Sequence, residues 1–190
     1  MSDPSPFDAI GGSLALDFVN TIANRGHAEK RRDMLAKLSD LQRWLATFGL
    51  AAEGLVEAHL TEARAIRERL HDLFCPAAQG RAVGEAALQA FDNDLRAASG
   101  GRRLQRRQGR IVWDWAPDTD TLHRSLFPVL ADAAELLVSG DLEKLRECQG
   151  PGCGWLFLDR SRGRPRRWCS MQDCGNKAKA RRHYRRQADS

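Results

Sequence analysis

The sequence has no run of about 18 apolar residues, so a membrane-spanning helix is not expected. Its opening, MSDPSPFDAIGG, has no basic stretch leading into an apolar one, so no export signal is expected there. Cysteine is scarce and odd in number, five in 190 residues, which argues against a disulfide-stapled secreted fold. A cytoplasmic chain is the expectation. Catalytic signatures are also missing: there is no glycine-rich phosphate loop, no G-x-S-x-G elbow and no His-x-x-x-His pair. No repeat or low-complexity segment is visible, and no enzyme is expected.

What is present is an uneven charge. Lys and Arg total 30 against 25 Asp and Glu, a net of +5. Residues 141–190 carry 13 basic and 6 acidic residues, and the first 140 carry 17 and 19. From Arg160 to Arg186 eleven basic residues meet a single acid, Asp173. Such a run is either a solvated arm or the footprint of an anionic polymer.

The first 140 residues read as mainly helical. Ser13 is a candidate N-cap for a short helix with Leu14, Asp17 and Phe18 on one side, although the run Leu-Ala-Leu-Asp-Phe-Val also suits a strand. Leu38, Leu41, Trp44, Leu45 and Phe48 share a helical face, with Gly49 as the stop. Glu53 to Phe74 gives a second stripe, broken by Arg67 and ended by Cys75-Pro76. Gly84–Ala97 and Asp120–Val138 give two more, with Pro128 expected to kink the last or start a new helix. Between them RRLQRRQGRIVWDW reads as a hairpin turning at Gln108-Gly109, its Ile111, Trp113 and Trp115 facing a core. His27, His59, His71 and His123 stand among charges and are expected to face solvent; Cys75 is expected to be a free buried thiol. Asp17 and Asn20, three apart in an apolar stretch, are candidates either for structural bonding or for the floor of a small-ligand pocket.

The cysteines carry the strongest signal. Cys148 and Cys153, then fifteen residues, then Cys169 and Cys174, form two C-x4-C pairs suited to one tetrahedral zinc ion. Gly150, Pro151 and Gly152 permit the tight first turn. Trp155–Leu158 and Arg166–Trp168 are expected to pair as strands, and a helix from about Met171 to Gln187 to supply the last two ligands. Knuckle, hairpin and helix in that order make a treble-clef-like finger. Four thiolates leave no open position, so the expected role is structural, not catalytic.

Lys177, Arg181 and Arg185 recur at i, i+4 and i+8 on that helix, with Lys179, Arg182 and Arg186 widening the basic face. Arg164, Arg166 and Arg167 add charge from the segment before it. Ala178, Ala180 and Tyr184 are candidates to pack inward. Like charges one turn apart repel, so the density calls for anions, and a nucleic-acid backbone supplies them. A helix of this width enters a major groove.

Trp168-Cys-Ser-Met-Gln-Asp-Cys-Gly-Asn-Lys-Ala-Lys, with the Cys148/Cys153 knuckle, resembles the CGNR zinc finger. Gly-Ser-Leu-Ala-Leu-Asp-Phe-Val-Asn-Thr, starting at Gly12, resembles the opening of the ABATE domain. Together they resemble a bacterial family of stress-induced transcription regulators. The resemblance implies zinc ligation by Cys148, Cys153, Cys169 and Cys174, DNA binding by the finger, and sensing of a small ligand by the N-terminal domain. The signature tetrapeptide falls on Cys174, Gly175, Asn176 and Lys177, where Lys stands for the family's Arg. Lysine keeps the charge and loses the planar fork, so phosphate contact survives better than base reading. Gly175 is expected to leave room beside the metal, and Asn176 to bond backbone or a thiolate.

The combined expectation is a mainly α body with a small β-hairpin, residues 1–140, followed by a treble-clef-like zinc finger with four cysteine ligands, residues 141–190. The finger binds DNA, and the body senses a ligand or dimerises it, since one finger covers few base pairs. The rival is a zinc-dependent interaction module that docks an acidic protein.

Overall fold

The computed structural model describes residues 7–188. The side chains of residues 182, 183, 185, 186 and 188 lie outside that description, and with them the roles expected of Arg182, Arg185 and Arg186.

Helix α1 (Leu14–Val19) starts the fold, and Ala15, Leu16, Phe18 and Val19 are almost fully buried. A segment buried on nearly every side shows no clean period, which is why its sequence also reads as a strand. Its open N-terminus is capped from another helix. Asp132 accepts hydrogen bonds from the Ser13 hydroxyl and from the Ala15 N–H, the latter at 2.8 Å. Ile22–Ala23 (β1) and Arg32–Asp33 (β2) then pair antiparallel around a short loop.

Helices α2 (Leu38–Thr47), α3 (Glu57–Ala78), α4 (Glu85–Ser99) and α5 (Thr121–Val138) follow the apolar stripes of the sequence. One proline expectation is corrected, and of the two offered for Pro128 the new helix is excluded. α3 runs through Pro76 to Ala78, because the lost bond falls in the last turn. There the Gln79 and Arg81 N–H groups close on the carbonyls of Cys75 and Pro76. α5 is one helix through Pro128, started by Asp120, which accepts from the N–H groups of Leu122 and His123.

Arg102–Arg107 (β3) and Arg110–Trp115 (β4) form the expected hairpin, in register from Arg102↔Trp115 to Arg107↔Arg110. Gln108 and Gly109 both have positive φ, the type I′ geometry that matches strand twist. The core assignment of its aromatic face is corrected. Trp115 packs edge-on against Phe127 of α5, but Trp113 and Ile111 are 62% and 57% exposed. The hairpin touches α5 only through its base, so its outer half reaches beyond the core.

The four histidines are also corrected from solvent-facing to half-buried. His59 accepts from the Val56 N–H at the start of α3 and lies 3.4 Å from Asp120. Burial, helped by Arg25, pushes His71 below its usual range. Cys75 is half-buried, and burial raises its thiol.

Leu145–Glu147 (β5) and Leu156–Leu158 (β6) pair antiparallel, and Asn176–Ala188 forms α6 after one wide turn, Met171–Gly175. The hairpin expected between Trp155 and Trp168 is displaced. Leu156–Leu158 pairs backward with β5, so the first cysteine pair is itself the hairpin's turn. Arg166–Trp168 forms no strand, and only one ladder-like bond survives there, from the Gln149 N–H to the Arg167 carbonyl. Leu145, Leu156 and Leu158 join the apolar core formed by the helices, so packing is continuous across residue 140.

Candidate metal centre and its seat on the body

The β5–β6 turn presents Cys148 and Cys153, and the chain from Trp168 to α6 presents Cys169 and Cys174. The four Sγ atoms all lie within 4.8 Å of one another. Cys169 is 3.8 Å from both Cys153 and Cys174. Sulfurs about 2.3 Å from a central ion at tetrahedral angles stand ~3.8 Å apart, so the cluster has the size of a tetrahedral thiolate site. The Gly150 and Cys169 N–H groups each donate to Cys148 Sγ at 3.3 Å, the support a thiolate needs. Hydrogen bonds from Cys153 and Cys169 hold Cys148 down to about 2, and the same contact with Cys148 pushes Cys153 up to about 12. Four sulfurs this close cannot all be thiolates without a compensating charge, which a divalent cation supplies.

Gly150 is forced by this geometry. A Cβ there would stand 2.7 Å from Cys174 Sγ and 2.9 Å from its Cβ. Gly150→Ala is expected to lose the metal while the helical body stays folded. Cobalt-substituted protein should show the thiolate charge-transfer bands in the wild type and lack them in the variant.

At Gly175 a Cβ would stand 2.8 Å from the Met171 sulfur, so the glycine lets Met171 pack against the start of α6. Asn176 donates to the Gln172 carbonyl at 2.9 Å and so ties the wide turn to α6. Lys177, Lys179 and Arg181 are exposed, and none has an acidic partner among the described residues. Ala178 is half-buried, whereas Ala180 and Tyr184, expected to pack inward, are exposed, Tyr184 at 69%. α6 leaves the finger's small core after its first turn, so residues further along lie away from it.

Arg164, Arg166 and Arg167 are exposed, but two of them are bonded within the finger. Arg166 donates to the Cys169 carbonyl at 2.5 Å and lies 4.6 Å over Phe157. Arg167 donates to Gln149 at 2.8 Å and sits by Trp168. Both brace the ligand loops.

The finger is seated on the body by a row of backbone contacts. Asn20, 5% exposed, donates from Nδ2 to the Leu156 carbonyl at 2.8 Å and accepts the Leu156 N–H at 2.9 Å on Oδ1. Its amide thus pairs with the edge of β6 as another strand would. Asp17 Oδ1 accepts the Gly11 N–H at 2.7 Å, and the Gly11 carbonyl accepts from Leu158 at 2.9 Å. Burial pushes the Asp17 carboxyl up to about 6, against the pull of the Gly11 and Ile10 N–H groups. Neither residue lines the grooves around the metal site.

The loop after β1 completes the seat. The Arg25 and Gly26 N–H groups donate to the Cys153 and Gly152 carbonyls, both at 3.1 Å. Gly152, with φ +70°, passes so close that a Cβ would meet His27 Cβ at 2.7 Å. Trp155 donates to the Ile22 carbonyl at 2.8 Å. Arg67, which interrupts an apolar stripe in sequence, is 2% exposed and grips both Asp33 oxygens at 2.7 and 2.8 Å. Glu68 joins Arg67 to Arg25, with ion-pair distances of 2.9 and 2.5 Å. An ion network anchored on buried Arg67 therefore aims the loop at the knuckle.

This loop also widens the cationic surface. His27 and Lys30 face Lys177, Arg181 and Tyr184 across an open groove of about 660 Å³. Sequence reading missed His27 and Lys30 here, because nothing in their spacing reveals that the loop folds against α6.

A mainly helical body carrying a closed four-cysteine metal finger with a basic C-terminal helix is thus the class that fold and site define. Residues 12–140 match the ABATE family, described as "Putative stress-induced transcription regulator", and residues 144–187 match the CGNR zinc finger. The chain belongs to the ABATE family and ends in a CGNR zinc finger. A search of curated proteins returns no match. No helix among the described residues is long and apolar enough to cross a membrane.

Proposed function

We propose that the chain is a cytoplasmic transcription regulator that binds DNA through a treble-clef-like zinc finger, the body dimerising it and passing on a ligand signal. Zinc is the metal that suits four thiolates in a closed tetrahedral site, and its role here is structural. The observation that carries the reading is the groove where the cations of α6 and of the body loop converge. Lys177 and Arg181 from one segment and Lys30 from another line it, with the His27 imidazole beside them. Repulsion of this kind is relieved by phosphates, and binding them releases condensed counterions.

Asp17 and Asn20 support the signal-passing part. Asn20 joins α1 to β6 directly and Asp17 does so through Gly11, so a ligand that shifts α1 moves the finger's seat. Any direct ligand contact from them would require those bonds to open. A dimer would supply the second half-site that one finger lacks.

The test is binding of zinc-loaded protein to arbitrary duplex DNA across a salt series. The wild type is expected to show a steep negative slope of log affinity against log salt. Lys177→Ala with Arg181→Ala should flatten it by about 2, one for each lost phosphate contact. Unchanged slopes, or binding only to an acidic protein, would overturn the reading.

A further inference from the structure

We propose that the β3–β4 hairpin is a second DNA-contacting arm, which lays its arginine-rich ribbon in a groove of the duplex. The proposal rests on the DNA-binding reading above and adds to it a contact from the body.

The argument starts from charge. Residues 102–115 hold five arginines and one acid, Asp114, a net of +4. The rest of the first 140 residues holds 12 basic and 18 acidic residues, a net of −6. The near-neutral body thus hides a concentrated cationic arm on an acidic surround. The net negative charge of that surround makes the arm stand out as a place for a polyanion.

The register then sorts the arginines. Arg107 stands directly across from Arg110 beside the turn, and like charges directly opposed in a hairpin are destabilising. Arg106 and Arg110 have no acidic partner among the described residues, while Asp114 serves Arg107 at 2.9 Å and Arg103 at 4.0 Å. The tip therefore holds two cations, Arg106 and Arg110, without an acidic partner among the described residues.

The face that carries Arg102 and Arg106 is otherwise apolar and open. Leu104, Ile111 and Trp113 are 63%, 57% and 62% exposed, and they are neighbours through the pairs Leu104↔Trp113 and Arg106↔Ile111. The guanidinium of Arg102 lies 4.2 Å over Trp113 and 4.5 Å from Phe127, which stiffens the base of the arm. Each strand has six residues, so the ribbon is about 20 Å long.

A two-stranded ribbon of this width fits the major groove, and apolar side chains beside arginines also act as wedges between base steps. A second copy of the hairpin is disfavoured as the occupant, since face-to-face pairing would bring two such arginine clusters together. A polyanion with an apolar interior satisfies both faces at once. Duplex DNA has that chemistry.

The experiment compares three full-length, zinc-loaded proteins on one fluorescent duplex of arbitrary sequence by anisotropy across salt. They are the wild type, Arg106→Gln with Arg110→Gln, and Lys177→Ala with Arg181→Ala. A fourth protein, Trp113→Ala, reports on the apolar face. All these side chains are exposed, and unchanged melting temperatures confirm folding. The hairpin pair is expected to flatten the salt slope by about 2 and weaken binding by at least about tenfold at ~100 mM salt. Trp113→Ala should weaken binding without altering the slope. If only the finger variant weakens binding, the arm is refuted and the finger reading stands. If only the hairpin variant does, the arm stands and the finger reading falls. Absence of DNA binding in the wild type overturns both. Binding of the arm to phosphatidylglycerol vesicles or polyglutamate, with DNA affinity unchanged in the hairpin variant, also overturns the arm.

Discussion

Stripping the metal with a chelator is expected to unfold only part of the finger. Structural zinc in such modules supplies on the order of 10 kcal/mol of folding free energy, so the ligand loops and α6 should lose amide protection. Residues 159–188 have little else to hold them: the small apolar cluster there consists of Phe157, the buried cysteines and a few half-buried neighbours. Leu145, Leu156 and Leu158 are different, because their side chains sit in the core built by the helices. Their amides should stay protected after chelation. Hydrogen exchange with and without metal reads this directly. Uniform loss from residue 141 onward would show that the finger folds independently of the body, and uniform retention would show that the metal is dispensable.

Asn20→Ala is expected to be the most damaging single change away from the metal. It strands both the N–H and the carbonyl of Leu156 in a buried place, where each unsatisfied group costs about 1–3 kcal/mol. A total of roughly 2–6 kcal/mol follows for the two groups, against the 5–15 kcal/mol that holds a typical domain together. Asn20→Asp should be no better, because a carboxylate can accept the Leu156 N–H but repels its carbonyl. Urea denaturation of the metal-loaded proteins measures the loss. A cost under about 0.5 kcal/mol for Asn20→Ala, the range of ordinary surface changes, would show that water replaces the amide.

Much of the architecture was legible in the sequence because local rules govern it. The β3–β4 hairpin followed from Gln108-Gly109 and strand alternation, and the helical stripes set the order of α2 to α5. The metal cluster followed from cysteine spacing alone. What escaped depends on distant partners. Alternation placed Trp113 and Trp115 on one face, but only the tertiary fold decides that the body covers Trp115 and leaves Trp113 bare. Arg67 looked like a flaw in a stripe until Asp33, 34 positions earlier, was found in its fork. The partner of β6 was misplaced because Leu156–Leu158 can pair forward or backward, and the turn glycines do not say which. Asp17 and Asn20 drew attention as polar residues in apolar surroundings, and their partners lie at Gly11 and Leu156.

The Asn20–Leu156 clamp closes a span of 136 residues. Synthesis proceeds from the N-terminus at about 5–20 residues per second, so α1 emerges several seconds before the strand that satisfies it. During that interval Asn20 and the buried side chains of α1 lack their final neighbours, and the nascent body stays open to chaperones. The last step of core assembly waits on the arrival of β6, so the body is completed only when the chain is nearly finished, whether or not the metal has been loaded.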